Sequence, residues 1–416
     1  MSLLLDDILD IGPALVAAIA TATVAFLWLA RAALYPPSQS ILPNPLRTKI
    51  PYLSEKEVAR LEYGPDAYPG ARDVSTPYGT MRVYEWGPEN GEKILFIHGI
   101  STSCMTVSVL AQAMVERGHR VMIFDLFGRG FTDGVGDLPH DPRLYVTQAL
   151  LALASSPISW TGNDAFRLVG YSMGGGIAVH IAATFPHMVS SLILLAPAGL
   201  IRESNFGIVS RILFRTGLVP DALLTRLARQ RLRKPIASSV TKKKSPTPSP
   251  PRESSPTVSS VLGGSSDGGG VSGHNLRHSL HSLANKESMT DIAVAEAANP
   301  GSGPVAAIEK RVLDYIAWMA EHHSGFVHAF LSSLRHAPLV NQHAVWEKLA
   351  AREPGTTCVL LARDDEVIDP DDYTDDGLHL LGGEERVRWR VVEGGHDFVM
   401  THSEEILREL DEFWRV

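Results

Sequence analysis

Short apolar runs alternate with amphipathic patterns along most of the chain. The apolar runs predict seven strands, at residues 81–86, 93–99, 120–126, 166–172, 190–197, 356–364 and 386–395. The amphipathic stretches predict helices at residues 105–118, 141–155, 173–186 and 403–414. Strands that are apolar throughout and alternate with helices are typical of a mainly parallel sheet covered on both faces. The pattern therefore predicts an α/β fold.

The longest apolar run lies near the N-terminus. Residues 11–30 carry no charged side chain, and the run continues to residue 35 after Arg31. A helix of that length spans roughly 30 Å of hydrocarbon, so we expect a transmembrane anchor over residues 11–35. A cleaved signal peptide, with a small-x-small site at residues 30–32, and a buried core helix are the alternatives. Acidic residues before the run and basic residues after it predict a single-pass membrane protein whose main part is cytosolic.

The alternation of strands and helices stops between Pro197 and about Trp346. Residues 201–340 are expected to be helical around an insertion at about 235–305 that is rich in Ser, Pro, Gly and Lys and predicted to be disordered. The insertion is either a phosphorylation-tunable basic segment or a solvated stretch without function. The rest of the chain is divided into a Pro-rich connector at residues 36–70 and two segments, 71–200 and 341–416, that together form the α/β core domain.

Composition narrows the function classes. The chain has 416 residues and a net charge of -8, which argues against a general nucleic-acid binder. Its two cysteines, Cys104 and Cys358, are far apart and form neither a disulfide framework nor a metal-binding spacing. We expect no metal and no organic cofactor.

A glycine-flanked serine follows one of the predicted strands. The stretch "GYSMG", residues 170–174, has the pattern G-x-S-x-G, with a strand before it and a helical pattern after it. A nucleophile at such a turn needs small residues two before and two after it, where strand and helix pass each other. Ser172 is therefore the predicted nucleophile.

A serine nucleophile needs a base and an orienting acid from later strand ends. His396 lies in a glycine loop just after the last strand and is the candidate base. After the preceding strand stand Asp364, Asp365 and Asp369; Asp365 is the preferred acid and Asp364 the alternative. The order Ser, Asp, His is the one found in α/β-hydrolases.

Acyl transfer also needs donors for a developing oxyanion. The loop "HGIS", residues 98–101, follows an early strand, and the helix after Ser172 begins at Met173. We expect the backbone N–H groups of Ile100 and Met173 to form the oxyanion hole. His98 is interpreted as a structural residue that holds this loop.

These motifs, together with "DLFGRGFTD" (125–133), "ARDDEVIDP" (362–370) and "GGHDF" (394–398), resemble the ordered motif set of α/β-hydrolase fold proteins. The resemblance covers roughly residues 75–200 and 340–416. It implies an eight-stranded, mostly parallel sheet with a helical cap inserted after the sixth strand. A serine at position 172 is unlike the branches that use a carboxylate nucleophile. The membrane segment is similar to that of membrane-anchored monoacylglycerol lipase-like members.

The predicted function is that of a serine hydrolase acting on carboxylic esters, which are lipophilic or acylglycerol-like. Its expected partners are a small-molecule or lipid ester at the site and a membrane at the N-terminal helix. An aminopeptidase or amidase, or a carbon–carbon bond hydrolase, is the alternative on the same triad. A non-enzymatic membrane scaffold is the third hypothesis. The sequence predicts no oligomeric state.

Overall fold

An eight-stranded sheet lies at the centre of the computed structural model, which describes residues 15–30, 39–162, 165–203 and 304–415. In chain order the described strands are β1 (Ile41–Leu42), β2 (Ala71–Thr76), β3 (Gly79–Trp86), β4 (Lys93–Ile97), β5 (Arg120–Phe124), β6 (Gly134–Val135), β7 (Phe166–Tyr171), β8 (Val189–Leu195), β9 (Thr357–Ala362) and β10 (Arg388–Val392). The large sheet has the order β10-β9-β8-β7-β4-β5-β3-β2, and β1 pairs with β6 in a separate ribbon. Only the β5–β3 and β3–β2 pairings of the large sheet are antiparallel, so the predicted mostly parallel, eight-stranded sheet is confirmed.

Helices precede, connect and follow the strands. The described helices are α1 (15–30), α2 (Pro45–Thr48), α3 (Glu55–Val58), α4 (Ser108–Glu116), α5 (Pro142–Ala154), α6 (Met173–Thr184), α7 (Pro304–His322), α8 (Phe326–His336), α9 (His343–Trp346), α10 (Pro370–Gly377), α11 (Phe398–Thr401) and α12 (Ser403–Phe413). The part of the predicted helical segment that follows the insertion corresponds to two helices, because the chain turns between His322 and Phe326. A side chain at Gly325 would lie 2.7 Å from the Cα of Gly134, so the backbone passes too close there for anything larger than hydrogen.

The parallel strands at the centre of the sheet explain where the chemistry lies. Strands β4, β7, β8 and β9 are hydrogen-bonded side by side and run in the same direction. The carboxyl ends of parallel strands meet at one edge of a sheet, and ligand sites of open α/β folds lie at that edge. The loops after β4, β7, β9 and β10, which carry the candidate residues, are therefore brought to one side of the protein.

Strand β2 was absent from the sequence prediction. It lies at the edge of the sheet, where its residues alternate between exposed and half-buried and include Arg72 and Asp73. Charged residues on an edge strand protect it against pairing with other chains, but they also remove the apolar run that marks a buried strand. The ribbon of β1 and β6 has two residues on each strand, too few for a period to be read.

The apolar N-terminal run forms a helix in its described part. Residues 15–29 are all exposed, which contradicts the alternative of a buried core helix. No helix in the described part of the chain has the length and apolar character needed to cross a membrane. Residues 204–303 lie outside the described residues; they hold the first part of the predicted helical segment and nearly all of the insertion predicted to be disordered at about 235–305.

Candidate active site

Ser172 occupies a tight turn between β7 and α6. Its backbone has φ 54° and ψ -123°, in the left-handed half of backbone space that non-glycine residues seldom adopt. Its N–H donates to the carbonyl of Leu195 (3.0 Å), and its carbonyl accepts from the N–H of Ala198 (2.8 Å). These bonds to β8 and to the residues that follow it hold the strained turn in place.

Two glycines make this turn sterically possible. A Cβ at Gly170 would lie 2.4 Å from the carbonyl oxygen of Gly174. A Cβ at Gly174 would lie 2.2 Å from the carbonyl oxygen of Ile97, at the end of β4. Both contacts are with backbone atoms, which cannot rotate away. The predicted role of these two glycines at a tight strand-to-helix turn therefore agrees with the packing around them.

The three residues predicted as a triad lie in hydrogen-bonding contact. The Nε2 atom of His396 is 3.0 Å from the hydroxyl of Ser172, and its Nδ1 atom is 2.8 Å from Oδ2 of Asp365. The side chains of His396 and Asp365 are fully buried. A carboxylate on Nδ1 fixes the tautomer in which Nε2 can accept the proton of the serine hydroxyl. The arrangement is one that can activate a serine hydroxyl for nucleophilic attack.

The geometry distinguishes Asp365 from its neighbours. The other carboxylate oxygen of Asp365 accepts hydrogen bonds from the N–H groups of Val367 (2.8 Å) and Ile368 (2.7 Å), which orient the acid toward the imidazole. Asp364 is exposed, and Asp369 is an exposed residue that caps the N-terminus of α10. The structure thus brings Asp365, and not Asp364, against the histidine.

Tyr171 supports the histidine loop, a role that the sequence analysis did not assign. Its hydroxyl donates to the carbonyl of His396 (2.9 Å), and its ring lies 5.4 Å from the imidazole. Tyr171 is the last residue of β7 and directly precedes Ser172, so one short segment positions both Ser172 and His396. The position next to the serine is the only sequence signal for this contact.

The loop after β4 is held by His98. The Nε2 atom of His98 accepts the N–H of Leu126 (2.9 Å), so Nδ1 carries the proton and donates to the carbonyl of Gly99 (2.9 Å). Burial, assisted by the charge of Arg129, lowers the pKa of His98 to about 3 and keeps the ring neutral. This agrees with the interpretation of His98 as a loop-holding residue.

The bond from His98 fixes the peptide that carries the N–H of Ile100, because Gly99 C=O and Ile100 N–H belong to one peptide group. The second predicted donor, Met173, is the first residue of α6, where backbone N–H groups lack acceptors within the helix. Both predicted oxyanion donors thus belong to segments adjoining Ser172: the end of β4 contacts Gly174, and Met173 follows the serine. Within the described ranges, no group of three His, Cys, Asp or Glu side chains is arranged to hold a metal ion.

Comparisons with known proteins agree with this geometry. The family model described as "Serine aminopeptidase, S33" matches residues 88–245. A serine hydrolase-like protein of Dictyostelium discoideum is 30% identical over 147 residues, which are 33% of this chain and 38% of that protein. The chain therefore spans less than half of the length of the curated relatives that it matches.

Solved structures show the same fold at low identity. A bromoperoxidase from Bacillus anthracis superposes with a TM-score of 0.52 at 13% identity, covering 83% of this chain and 100% of that one. A putative aryl esterase from Burkholderia cenocepacia gives a TM-score of 0.51 at 16% identity, covering 83% of this chain and 98% of that one. With the sheet order, the strained serine turn and the order Ser, Asp, His, these similarities show that the chain has the α/β-hydrolase fold.

Proposed function

We propose that this protein is a serine hydrolase that cleaves carboxylic esters, with lipophilic or acylglycerol-like molecules as substrates. The observation that carries the proposal is the continuous chain of contacts from Ser172 through His396 to Asp365, at 3.0 and 2.8 Å. All three side chains belong to loops at the same edge of the sheet, and the histidine and aspartate are buried.

The geometry supports a two-step acyl transfer. Ser172 attacks the ester carbonyl while Nε2 of His396 takes the hydroxyl proton, and Asp365 stabilises the imidazolium that forms. The N–H groups of Ile100 and Met173 bind the oxyanion of the tetrahedral intermediate. The imidazolium then returns the proton to the leaving alkoxide, which departs as the alcohol. Water activated by His396 releases the carboxylic acid and restores the serine.

Peptide-bond cleavage is a second candidate, because the matching family model is described as a serine aminopeptidase. The same triad would attack an amide, with His396 donating its proton to the departing amine. Carbon–carbon bond hydrolysis was an alternative from the sequence, and the triad geometry does not distinguish it from ester cleavage. The assignment of the bond type therefore depends on substrates.

A substrate panel tests the bond type. The full chain is assayed with p-nitrophenyl esters of increasing acyl length, monoacylglycerols, amino-acyl p-nitroanilides and a vinylogous 1,5-diketone, with Ser172→Ala as the matched control. We expect ester cleavage that rises with acyl length and is lost in the Ser172→Ala variant. Preference for the anilides would replace the esterase with an aminopeptidase, and preference for the diketone would replace it with a carbon–carbon bond hydrolase.

Attachment to a membrane through the N-terminal segment, with the catalytic domain on the cytosolic side, is part of this proposal. Helix α1 exposes apolar side chains on all faces; Phe26 and Trp28 are 70% and 68% exposed. Its two polar side chains, Thr21 and Thr23, donate to the carbonyls of Ala17 and Ile19, one turn before them (2.8 Å each). A helix that is apolar all round and satisfies its own hydroxyls matches the requirements of lipid better than those of water.

Co-sedimentation with phosphatidylcholine vesicles tests the attachment. We expect the full chain to pellet with the vesicles and a variant carrying Ile19→Asp and Leu27→Asp to remain in the supernatant. Equal partitioning of the two proteins would contradict the proposal. Activity on a short soluble ester should be unchanged in the variant, because both residues lie outside the catalytic site.

A further inference from the structure

Arg129 lies in the loop between β5 and β6 and is fully buried. Its Nε–H donates to the carbonyl of Ile100 (2.9 Å), and Nη1 donates to the carbonyl of Phe127 and the hydroxyl of Tyr145 (2.8 Å each). Its Nη2 donates to the hydroxyl of Ser333 on α8 (2.9 Å). All four acceptors are neutral oxygens. Burying a guanidinium among neutral groups is costly, so a cation kept here indicates more than simple packing.

The carbonyl that accepts the Nε–H links Arg129 to the loop after β4, which carries the predicted oxyanion donor Ile100. The N–H of Ile100 lies between two carbonyls that are each held: Gly99 by His98 and Ile100 by Arg129. His98 is itself held by the N–H of Leu126, which belongs to the same loop as Arg129. The peptide planes on both sides of Ile100 are therefore fixed by residues of the loop between β5 and β6.

The acceptor of Nη2 links Arg129 to the segment predicted as the cap. The hydroxyl of Ser333 donates to the carbonyl of Ala329, one turn earlier in α8 (2.7 Å), and therefore accepts from Arg129 and from Tyr145, whose oxygen is 2.7 Å away. Every hydroxyl in this group then has a consistent role, since Tyr145 accepts from the guanidinium and donates to the serine.

Two further contacts attach the same helices to the same loop. The hydroxyl of Tyr315 on α7 accepts the N–H of Gly130 (3.0 Å). His323, between α7 and α8, accepts the N–H of Gly325 on Nδ1, so its Nε2–H donates to the carbonyl of Thr132 (2.9 Å). These contacts tie the position of the loop between β5 and β6 to the position of α7 and α8.

We propose that Arg129 is a positioning residue that transmits the placement of α8 to the Ile100 peptide and thereby sets the oxyanion hole. The inference rests on the proposed serine-hydrolase function. It gives Ser333 of α8 an influence on the oxyanion hole through a single side chain, which spans from Ser333 to Ile100.

Two adjacent serines of α8 provide a matched test. Ser333→Ala removes the bonds from Arg129 and Tyr145. Ser332→Ala removes a buried hydroxyl that accepts the N–H of His140 (3.0 Å) and does not contact Arg129. For each variant we would measure urea unfolding, kcat and KM for a soluble ester, and the Ki of an alkyl boronic acid, which binds serine hydrolases as a tetrahedral adduct.

We expect Ser333→Ala to lower kcat and weaken the boronate by about fivefold to tenfold at unchanged KM, because a misplaced donor acts on the tetrahedral state and not on substrate binding. Ser332→Ala should keep kcat and the boronate Ki within about twofold of the wild-type values, while its free energy of unfolding falls by about as much as that of Ser333→Ala. Arg129→Lys keeps the charge but lacks the fork that reaches Ile100 and Ser333 together, and should lose about 100-fold in kcat.

Equal kcat and Ki in the two serine variants would overturn the inference, as would an Arg129→Lys variant with wild-type kcat. If the lysine variant does not fold, the serine pair decides alone. Failure of the proposed function gives a different result: the wild-type protein itself would hydrolyse no ester and bind no boronate, and the inference would fall with it. An active wild type with indistinguishable variants would overturn the positioning role alone.

Discussion

Replacing Gly174 by alanine tests how the nucleophile is positioned. The added Cβ would lie 2.2 Å from the carbonyl oxygen of Ile97 and 2.6 Å from that of His98. An ordinary carbon–oxygen contact is longer by about 1 Å, and neither backbone oxygen can rotate away, so the end of β4 has to move by about that distance from α6. The moved residues, Ile97 and His98, lie three and two positions before Ile100, the predicted oxyanion donor.

The size of the effect follows from this displacement. Overpacking in a close-packed interior costs about 1–3 kcal/mol, and the gain from alanine in a helix offsets less than about 1 kcal/mol at the first turn. We therefore expect the free energy of unfolding to fall by about 1–2 kcal/mol. A displacement of about 1 Å at a catalytic donor should lower kcat/KM by about 100-fold. The loss of activity, about 100-fold in kcat/KM, should therefore be much larger than the loss of stability would suggest.

The assay compares urea unfolding with hydrolysis of a soluble p-nitrophenyl ester. Gly64→Ala is the matched control, because a Cβ there would be 3.9 Å from the nearest atom, the carbonyl oxygen of Val58, and its φ is not positive. The control should stay within about 0.5 kcal/mol and keep its activity. A folded Gly174→Ala protein with wild-type kcat/KM would refute the reasoning about the serine turn.

Three further changes have expected outcomes. Asp365→Asn should lower kcat by about 10⁴-fold through the wrong imidazole tautomer, whereas Asp364→Asn should stay near wild type; the reverse order in an ester assay would contradict the triad. Burial lowers the pKa of His98 to about 3 and of His323 to about 4. Below pH 6.5 these two histidines bind protons in the unfolded chain but stay neutral in the folded protein. The free energy of unfolding therefore falls as the pH falls, and the two histidines together account for about 3 kcal/mol of that fall between pH 6.5 and pH 5. Urea titrations at both pH values check this: His323→Gln should reduce the loss by about 1.5 kcal/mol, and an unchanged loss would contradict it. Tyr171→Phe removes the hydroxyl that donates to the carbonyl of His396 and should lower the free energy of unfolding by about 1 kcal/mol in urea; no measurable loss would argue against that contact.

The sequence predicts most of the sheet and the three triad residues for the same physical reason. Buried parallel strands require continuous apolar runs, and a serine in a strained turn requires glycines at fixed spacing, so both features leave local patterns. Ser172, Asp365 and His396 each follow such a strand, and parallel strands bring their carboxyl ends together. Distance along the chain is then no obstacle to prediction.

Features that depend on contacts between distant segments were not predictable. Tyr171 and Arg129 are an aromatic and a basic residue inside known motifs, and nothing in the sequence shows that one reaches the carbonyl of His396 and the other that of Ile100. The choice between Asp364 and Asp365 also required the fold, because it depends on which carboxylate faces the imidazole. Edge strand β2 was missed because its polar alternation resembles a loop.

Covalent labelling with a fluorophosphonate probe tests the central claim most directly. The wild-type full chain and the Ser172→Ala variant are incubated with the probe, and the modified residue is identified by peptide mass spectrometry. We predict stoichiometric phosphonylation of Ser172 in the wild type, abolished in the variant. An unlabelled wild type would contradict the assignment of Ser172 as nucleophile and favour a non-enzymatic membrane scaffold on this fold. Equal labelling of the alanine variant would contradict the assignment by showing that a different residue reacts with the probe.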